Sequence, residues 1–102
     1  MESFELYIDG RFDGGSATFA SLNPATGEPW AQVAEARTQD VDRAVAAAHR
    51  AFQGAEWRDM TAGARGKLLL RLADLLEQHA PELARLETLD TGKIIQIGRA
   101  HV

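Results

Sequence analysis

The chain has 102 residues, of which 45% are hydrophobic and 25% are charged, and its formal net charge is −4. This composition is that of one small globular domain, and its acidic balance disfavours binding to nucleic acid or to an anionic membrane. The chain has no cysteine, which excludes disulfides, thiolate metal ligands and thiol nucleophiles from these residues. Its start is acidic where a signal peptide is basic, and no apolar run approaches the roughly 20 residues of a membrane span. We therefore expect a cytoplasmic protein.

The first third of the sequence predicts strands and turns. Phe4, Leu6 and Ile8 alternate with more polar residues, which is the pattern of a half-buried strand. Asp9-Gly10 is typical of a tight hairpin turn with positive φ angles, and it predicts a short return strand at 11–13. Two further extended segments are expected at 17–22 and through Trp30–Val33, separated by a turn over Asn23–Gly27.

The remainder predicts three helices. The first begins at a Thr38 cap, carries one apolar stripe and ends at Gly54; the stripe consists of Val41, Ala44, Val45, Ala48 and Phe52. Trp57 is expected in the connection that follows. The second helix is capped by Thr61 and is expected to bury a face made of Leu68, Leu69, Leu72, Leu75 and Leu76. A third begins near Pro81, has one side formed by Leu83, Leu86 and Leu89, and ends at Gly92.

Few residues suggest a site. The run 63–67 lacks the spacing of a phosphate-binding loop, and the three histidines are too scattered for a metal centre. Glu87 and Asp90 are unusual because they lie in the last turn of a helix, where the helix dipole disfavours negative charge. Either Lys93 and solvent offset these charges, or a cation lies nearby, and composition does not choose between the two.

Five segments in order resemble the opening of the aldehyde dehydrogenase superfamily. They are Leu-Tyr-Ile-Asp-Gly at 6–10, Leu-Asn-Pro-Ala-Thr-Gly-Glu at 22–28, Asp-Val-Asp-Arg-Ala-Val-Ala-Ala-Ala at 40–48, the Arg and Leu positions of 65–75, and Leu-Glu-Thr-Leu-Asp-Thr-Gly-Lys at 86–93. Each segment is weak alone, but the ordered set is specific and covers about 5–93. The last segment is most similar to the betaine-aldehyde-like branch.

The resemblance implies an α+β fragment of an α/β enzyme, in which N-terminal β-hairpins and three helices pack on a cofactor-binding domain outside these residues. The parent enzyme would oxidise an aldehyde to a carboxylic acid with NAD or NADP, and would be a homo-oligomer. The family's catalytic and nucleotide-binding residues lie downstream, so none falls on this chain. The fragment alone is therefore expected to be inactive and to bind no cofactor. The resemblance also implies a monovalent cation held by the carbonyls of Ser21 and Leu22 and by Asp90, since hard cations prefer oxygen ligands.

The similarity ends shortly after Lys93. We interpret 1–96 as the N-terminal segment of the family's fold, and 97–102 as a non-native tail, because Ile-Gly-Arg-Ala-His-Val resembles one reading frame of a sequencing adapter. A genuine short C-terminus is the other interpretation. The isolated fragment is expected to be marginally stable or prone to aggregation. The alternative function is a small, non-enzymatic α+β binding module.

Overall fold

The computed structural model describes residues 1–100, apart from the side chains of Ile97, Arg99 and Ala100. Five strands precede five helices. The strands are β1 (Glu2–Phe4), β2 (Leu6–Ile8), β3 (Arg11–Asp13), β4 (Thr18–Leu22) and β5 (Pro29–Ala34). The helices are α1 (Thr38–Gln53), α2 (Ala55–Arg58), α3 (Ala62–Gln78), α4 (Ala80–Thr91) and α5 (Ile95–Ala100). No helix in the described part is long and apolar enough to cross a membrane.

The chain divides into two compact units. The first consists of 1–21 and 31–60, and the second of 22–30 and 61–102. In the first unit β2 and β3 form the expected antiparallel hairpin, with Ile8 opposite Arg11. Asp9 and Gly10 occupy its turn with φ angles of 54° and 76°, which confirms the turn predicted from that dipeptide.

The first predicted strand is divided in two. Glu5 separates β1 from β2, and β1 pairs in parallel with β5, with Glu2 opposite Ala31 and Phe4 opposite Val33. The three-stranded sheet has the order β1-β5-β4. A parallel pair joins segments that are distant in sequence, so the local alternation of apolar residues carried no signal for it.

Two helix starts test the predicted caps. Thr61 caps α3 as expected, because its Oγ1 accepts a hydrogen bond from the backbone N–H of Ala64 at 3.1 Å. The Thr38 cap is wrong by one residue: Thr38 is the first residue of α1, and the cap position belongs to Arg37. The Asp40 carboxylate accepts a hydrogen bond from the Arg37 N–H at 2.9 Å, so the side chain that satisfies this helix start comes from inside the helix.

The leucine face of α3, which the sequence predicts to pack against the body of a domain, is partly uncovered in this chain. Leu72 is 52% exposed, and the other four leucines of the face are 39–63% exposed. The stripe of α1 is also open, with Val45 63% and Phe52 71% exposed. Buried apolar side chains among the described residues are those of Ala31, Ala34 and Ala84. The described residues therefore leave both apolar stripes open to solvent.

Two helices were not expected. The short α2 contains Trp57, which the sequence placed in a connection, and α5 follows Gly92. Helix α5 packs on α4, where a Cβ added at Gly98 would lie 3.2 Å from the carbonyl oxygen of Ala84. His101 and Val102, the last residues of the predicted tail, lie outside the described residues.

Candidate functional site

The second unit brings the Asn-Pro turn against the end of α4. Asn23 closes the turn, because its carbonyl oxygen accepts from the N–H of Gly27 at 2.7 Å and its Oδ1 accepts from the N–H of Ala25 at 2.9 Å. Gly92 caps α4 in the left-handed region at φ 77°. A Cβ added at Gly92 would stand 3.3 Å from the Cβ of Pro24. Glycine is thus required there both for the backbone angle and for the space.

The charges at this helix end have a partner on the chain. Lys93 Nζ lies 3.2 Å from Glu87 Oε1, so the lysine offsets one of the two carboxylates that the helix dipole disfavours. Thr91 Oγ1 donates to the Glu87 carbonyl at 2.8 Å and accepts from the Lys93 N–H at 3.3 Å, which orders the segment between them. The lysine explanation therefore holds for Glu87.

The three predicted cation ligands lie as follows. Ser21 and Leu22 are the last residues of β4, and Asp90 is an exposed residue in the last turn of α4. Leu22 and Asp90 belong to the same unit and stand two residues from the contacting pair Pro24 and Gly92. Ser21 belongs to the other unit. A main-chain carbonyl and a carboxylate are donors suited to a hard cation, so the chemistry of this donor set is compatible with the prediction.

The first unit contains a cluster of ion pairs that sequence reasoning missed. Arg43 Nη2 of α1 donates to Asp13 Oδ2 at 2.9 Å and to Asp40 Oδ1 at 2.8 Å. About two turns further along α1, Arg50 Nη2 lies 3.3 Å from Asp9 Oδ2. These contacts connect the β2–β3 hairpin to α1 and border a cavity of about 640 Å³. The spacing of seven between the two arginines, which puts them on one side of a helix, was the available signal.

The same contacts perturb two carboxyl groups. The N–H of Gly15 and, after it, the guanidinium of Arg43 hold the pKa of Asp13 below its ordinary value of 3.8. The N–H of Arg37 and then Arg43 lower the pKa of Asp40 in the same way. Both carboxylates accept hydrogen bonds in their charged form, which favours that form. This cluster is a structural clamp, since its donors and acceptors satisfy one another.

Chemistry-bearing groups are few in the described residues. No group of three or more His, Asp or Glu side chains there could hold a metal ion. The glycines of 63–67 lie in the first turns of α3, which agrees with the rejection of a phosphate-binding loop. With no cysteine in the sequence, a thiol nucleophile is also absent. The cation position at Ser21, Leu22 and Asp90 therefore stays a prediction.

Comparison with known proteins identifies the scaffold. A dehydrogenase of Acinetobacter baylyi acting on (Z)-2-((N-methylformamido)methylene)-5-hydroxybutyrolactone is 59% identical over 96 residues, which is 94% of this chain and 20% of that protein. Aldehyde dehydrogenase of Bacillus cereus, solved as an NAD+ complex, matches 97% of this chain and 21% of its own with a TM-score of 0.92 and 42% identity. Betaine aldehyde dehydrogenase of Staphylococcus aureus matches 94% of this chain and 20% of its own, with a TM-score of 0.88 and 41% identity.

The fold is therefore a segment that much larger dehydrogenases share. Residues 12–102 match the aldehyde dehydrogenase family, and the chain belongs to that family. It spans about a fifth of the length of the curated relatives it matches. The family and the fold class expected from the ordered motifs are confirmed, and the match lies in the N-terminal part of the solved structures.

Proposed function

We propose that this chain is part of an enzyme that oxidises an aldehyde to a carboxylic acid with NAD or NADP, and that its 102 residues are inactive alone. The observation that carries the proposal is the match of nearly the whole chain to an aldehyde dehydrogenase solved with NAD+. Covalent oxidation of an aldehyde needs a nucleophile such as a thiolate, and this sequence has no cysteine. The nucleophile and the nucleotide site would lie in the remainder of a longer protein, whose substrate would be a small aldehyde.

The exposed leucine face of α3 supports a longer protein. The chain has 7756 Å² of accessible surface, against roughly 5,700 Å² for a folded monomer of its mass. Part of that excess is apolar, because Leu69 and Leu72 are 63% and 52% exposed on the same side of the helix. Burial of apolar surface contributes about 25 cal/mol per Å². We propose that the cofactor-binding part of the longer protein covers this face.

The proposal is tested by a chimera. Residues 1–96 replace the matching N-terminal part of the Bacillus cereus enzyme, and NADH formation is followed with a small aldehyde. We expect the chimera to oxidise the aldehyde and the isolated 102 residues to be silent. Leu72→Glu in the chimera should abolish soluble expression or activity. Leu70→Glu is the matched control, since 100° per residue places Leu70 on the other side of α3.

Three results would each contradict a part of the proposal. Oxidation of an aldehyde by the isolated chain would contradict its inactivity. A chimera that melts cooperatively and binds NAD+ but does not oxidise aldehydes would contradict the function assigned to the segment. Equal effects of the substitutions at Leu70 and Leu72 would contradict the assignment of the covered face.

The proposal extends to a monovalent cation in the longer protein, held by the carbonyls of Ser21 and Leu22 and by Asp90. The compatible donors and the contact between the turn and the end of α4 support it. K+ in place of choline at constant ionic strength should raise the melting temperature of the chimera. Asp90→Asn should remove that increase, whereas Asp74→Asn, on the neighbouring helix, should keep it. No difference between K+ and choline would contradict the site.

Three further proposals concern the compartment of the longer protein, its oligomeric state and the origin of residues 97–102. We propose a homo-oligomeric longer protein on the resemblance to the family, and a cytoplasmic location as the sequence predicts. We also propose that 97–102 are non-native, from their similarity to an adapter sequence. Sequencing the gene beyond codon 96 tests this, and a stop codon directly after Val102 in genomic DNA would refute it.

A further inference from the structure

The β2–β3 hairpin contains two Asp-Gly pairs in contrasting environments. Asp9-Gly10 forms its turn, and in Asp13-Gly14 the aspartate is the last residue of its second strand. We propose that Asp9 is a site of spontaneous isoaspartate formation and that Asp13 is protected from the same reaction. The two pairs share their local chemistry, because glycine follows the aspartate in both. A difference in their reactivity would therefore come from the fold.

The reaction needs no co-reactant except water. The backbone nitrogen of the glycine attacks Cγ of the aspartic acid, and an N–Cγ bond forms. The Cγ–O bond to the carboxyl hydroxyl breaks, and that hydroxyl leaves as water with the amide proton. Water then opens the cyclic imide at either of its carbonyl groups, which gives aspartate or isoaspartate. Glycine favours the attack because it has no Cβ atom to hinder the approach of its nitrogen.

Asp9 is open to this attack. Its side chain is 70% exposed, and its ion pair with the 65% exposed Arg50 has a distance of 3.3 Å. Gly10 lies in the turn, outside the paired register that ends at Ile8 and Arg11. No atom lies within 4 Å of the position that a Cβ of Gly10 would occupy. The same holds for Gly14, so the two pairs differ in how their aspartates are held and not in the space around the glycine.

Asp13 is held by both of its oxygens. Oδ1 accepts from the N–H of Gly15 at 2.8 Å, and Oδ2 accepts from Arg43 Nη2 at 2.9 Å. These donors fix the orientation of the carboxylate, and they keep it ionised by lowering its pKa. An ionised carboxylate is a poor electrophile, because its oxygen leaves as water only after protonation. The Gly14 nitrogen can attack only after these hydrogen bonds break.

Conversion at Asp9 would alter the first unit. The isoaspartate adds a backbone methylene to a two-residue turn, so the register of Ile8 opposite Arg11 could not be kept unchanged. It also moves the carboxylate away from Arg50, which joins the hairpin to α1. Conversion at Asp9 would thus loosen the hairpin from the helix.

The test is to incubate the full chain at physiological temperature and neutral pH, and to map succinimide and isoaspartate at both pairs by mass spectrometry. In the folded chain we expect Asp9 to react about tenfold faster than Asp13, the factor that corresponds to roughly one net hydrogen bond. In concentrated urea the two rates should converge. Equal rates in the folded chain, a faster reaction at Asp13, or the same ratio in urea would overturn the proposal.

A variant locates the source of the protection. Arg43→Gln removes the donor to Asp13 Oδ2, and it should accelerate the reaction at Asp13 while the rate at Asp9 stays unchanged. Arg85→Gln is the matched control, because this arginine pairs with Glu82 on α4 and belongs to the other compact unit. An unchanged rate at Asp13 in a folded Arg43→Gln variant would contradict the protective role of the clamp.

Discussion

Gly92 lies so close to Pro24 that a Cβ atom added at position 92 would stand 3.3 Å from the proline Cβ and 3.5 Å from its Cγ. The glycine also has a φ of 77°, which disfavours any residue with a Cβ. Gly92 therefore meets two separate requirements. The end of α4 requires a positive φ angle, and the neighbouring Asn-Pro turn leaves little room for a side chain. Substitutions can separate them.

Gly92→Ala should lower the free energy of unfolding by about 2 kcal/mol, through the left-handed backbone angle and the contact with Pro24 together. Gly27→Ala is the control, because Gly27 has a similar φ of 73° with no atom within 4 Å of its added Cβ. It should cost about 1 kcal/mol. Urea denaturation measures both. Adding Pro24→Ala to Gly92→Ala should recover part of the difference, and equal costs at the two glycines would refute the contact.

The clamp of Asp13, Asp40 and Arg43 should make stability depend on acid. Both carboxyl groups have a pKa below 3.8 in the folded chain, because the hydrogen bonds they accept favour the charged form. Their contribution to stability is therefore present above the unfolded value near 3.8, and it is lost as the pH falls through the lower folded value. Melting temperatures measured from neutral to acidic pH should fall less steeply in the double variant Asp13→Asn, Asp40→Asn. Identical slopes in the two proteins would exclude the clamp as the cause.

Two threonines at helix starts should respond differently to the same substitution. Thr61→Ala should cost about 1 kcal/mol, since Thr61 Oγ1 accepts the hydrogen bond from Ala64. Thr38→Ala should be near neutral, because Thr38 is the first residue inside α1 and alanine has the higher helix propensity. Thermal or urea unfolding compares the pair. A larger loss in the free energy of unfolding for Thr38→Ala than for Thr61→Ala would show that Thr38 is the cap of α1, as the sequence predicts.

The open face of α3 should govern the solubility of the isolated chain. Leu69→Gln and Leu72→Gln together should reduce self-association and leave the unfolding midpoint nearly unchanged, because both side chains are more than half exposed. Leu70→Gln alters a leucine of 68% exposure on the other side of the helix, and it should reduce self-association less. Sedimentation across a concentration series measures the effect. A large drop in the midpoint for the double variant would show that these leucines are packed within the chain.

Local patterns predicted local structure well. The Asp9-Gly10 turn, the Thr61 cap and the Gly92 helix end follow from backbone preferences of a few adjacent residues, and all three are confirmed. The parallel pairing of β1 with β5 depends on a contact between residues about thirty positions apart, as between Glu2 and Ala31, and no local pattern encodes it. Helix α2 has four residues, which is too short for a periodic signal.

The site was less accessible to prediction than the fold. Asp90 attracted attention because a carboxylate at a helix end is electrostatically unusual, and the resemblance supplied Ser21 and Leu22. The partners of Arg43 were missed, because an ion pair to Asp13 across thirty residues needs the fold to bring the two side chains together. The leucine periodicity predicts one apolar face of α3, but periodicity does not say whether the partner surface belongs to the same chain.

Alanine is the side chain found at each buried apolar position of the described residues, at 31, 34 and 84. Substitution of a large side chain by a small one is the usual probe of a protein interior, but these buried positions have no large side chain to remove. Enlargement is the informative substitution, because Ala84 is fully buried and a larger side chain there must displace the atoms packed around it. Mutational scans of this chain should consequently show intolerance to bulk at its smallest residues and indifference at many of its largest ones.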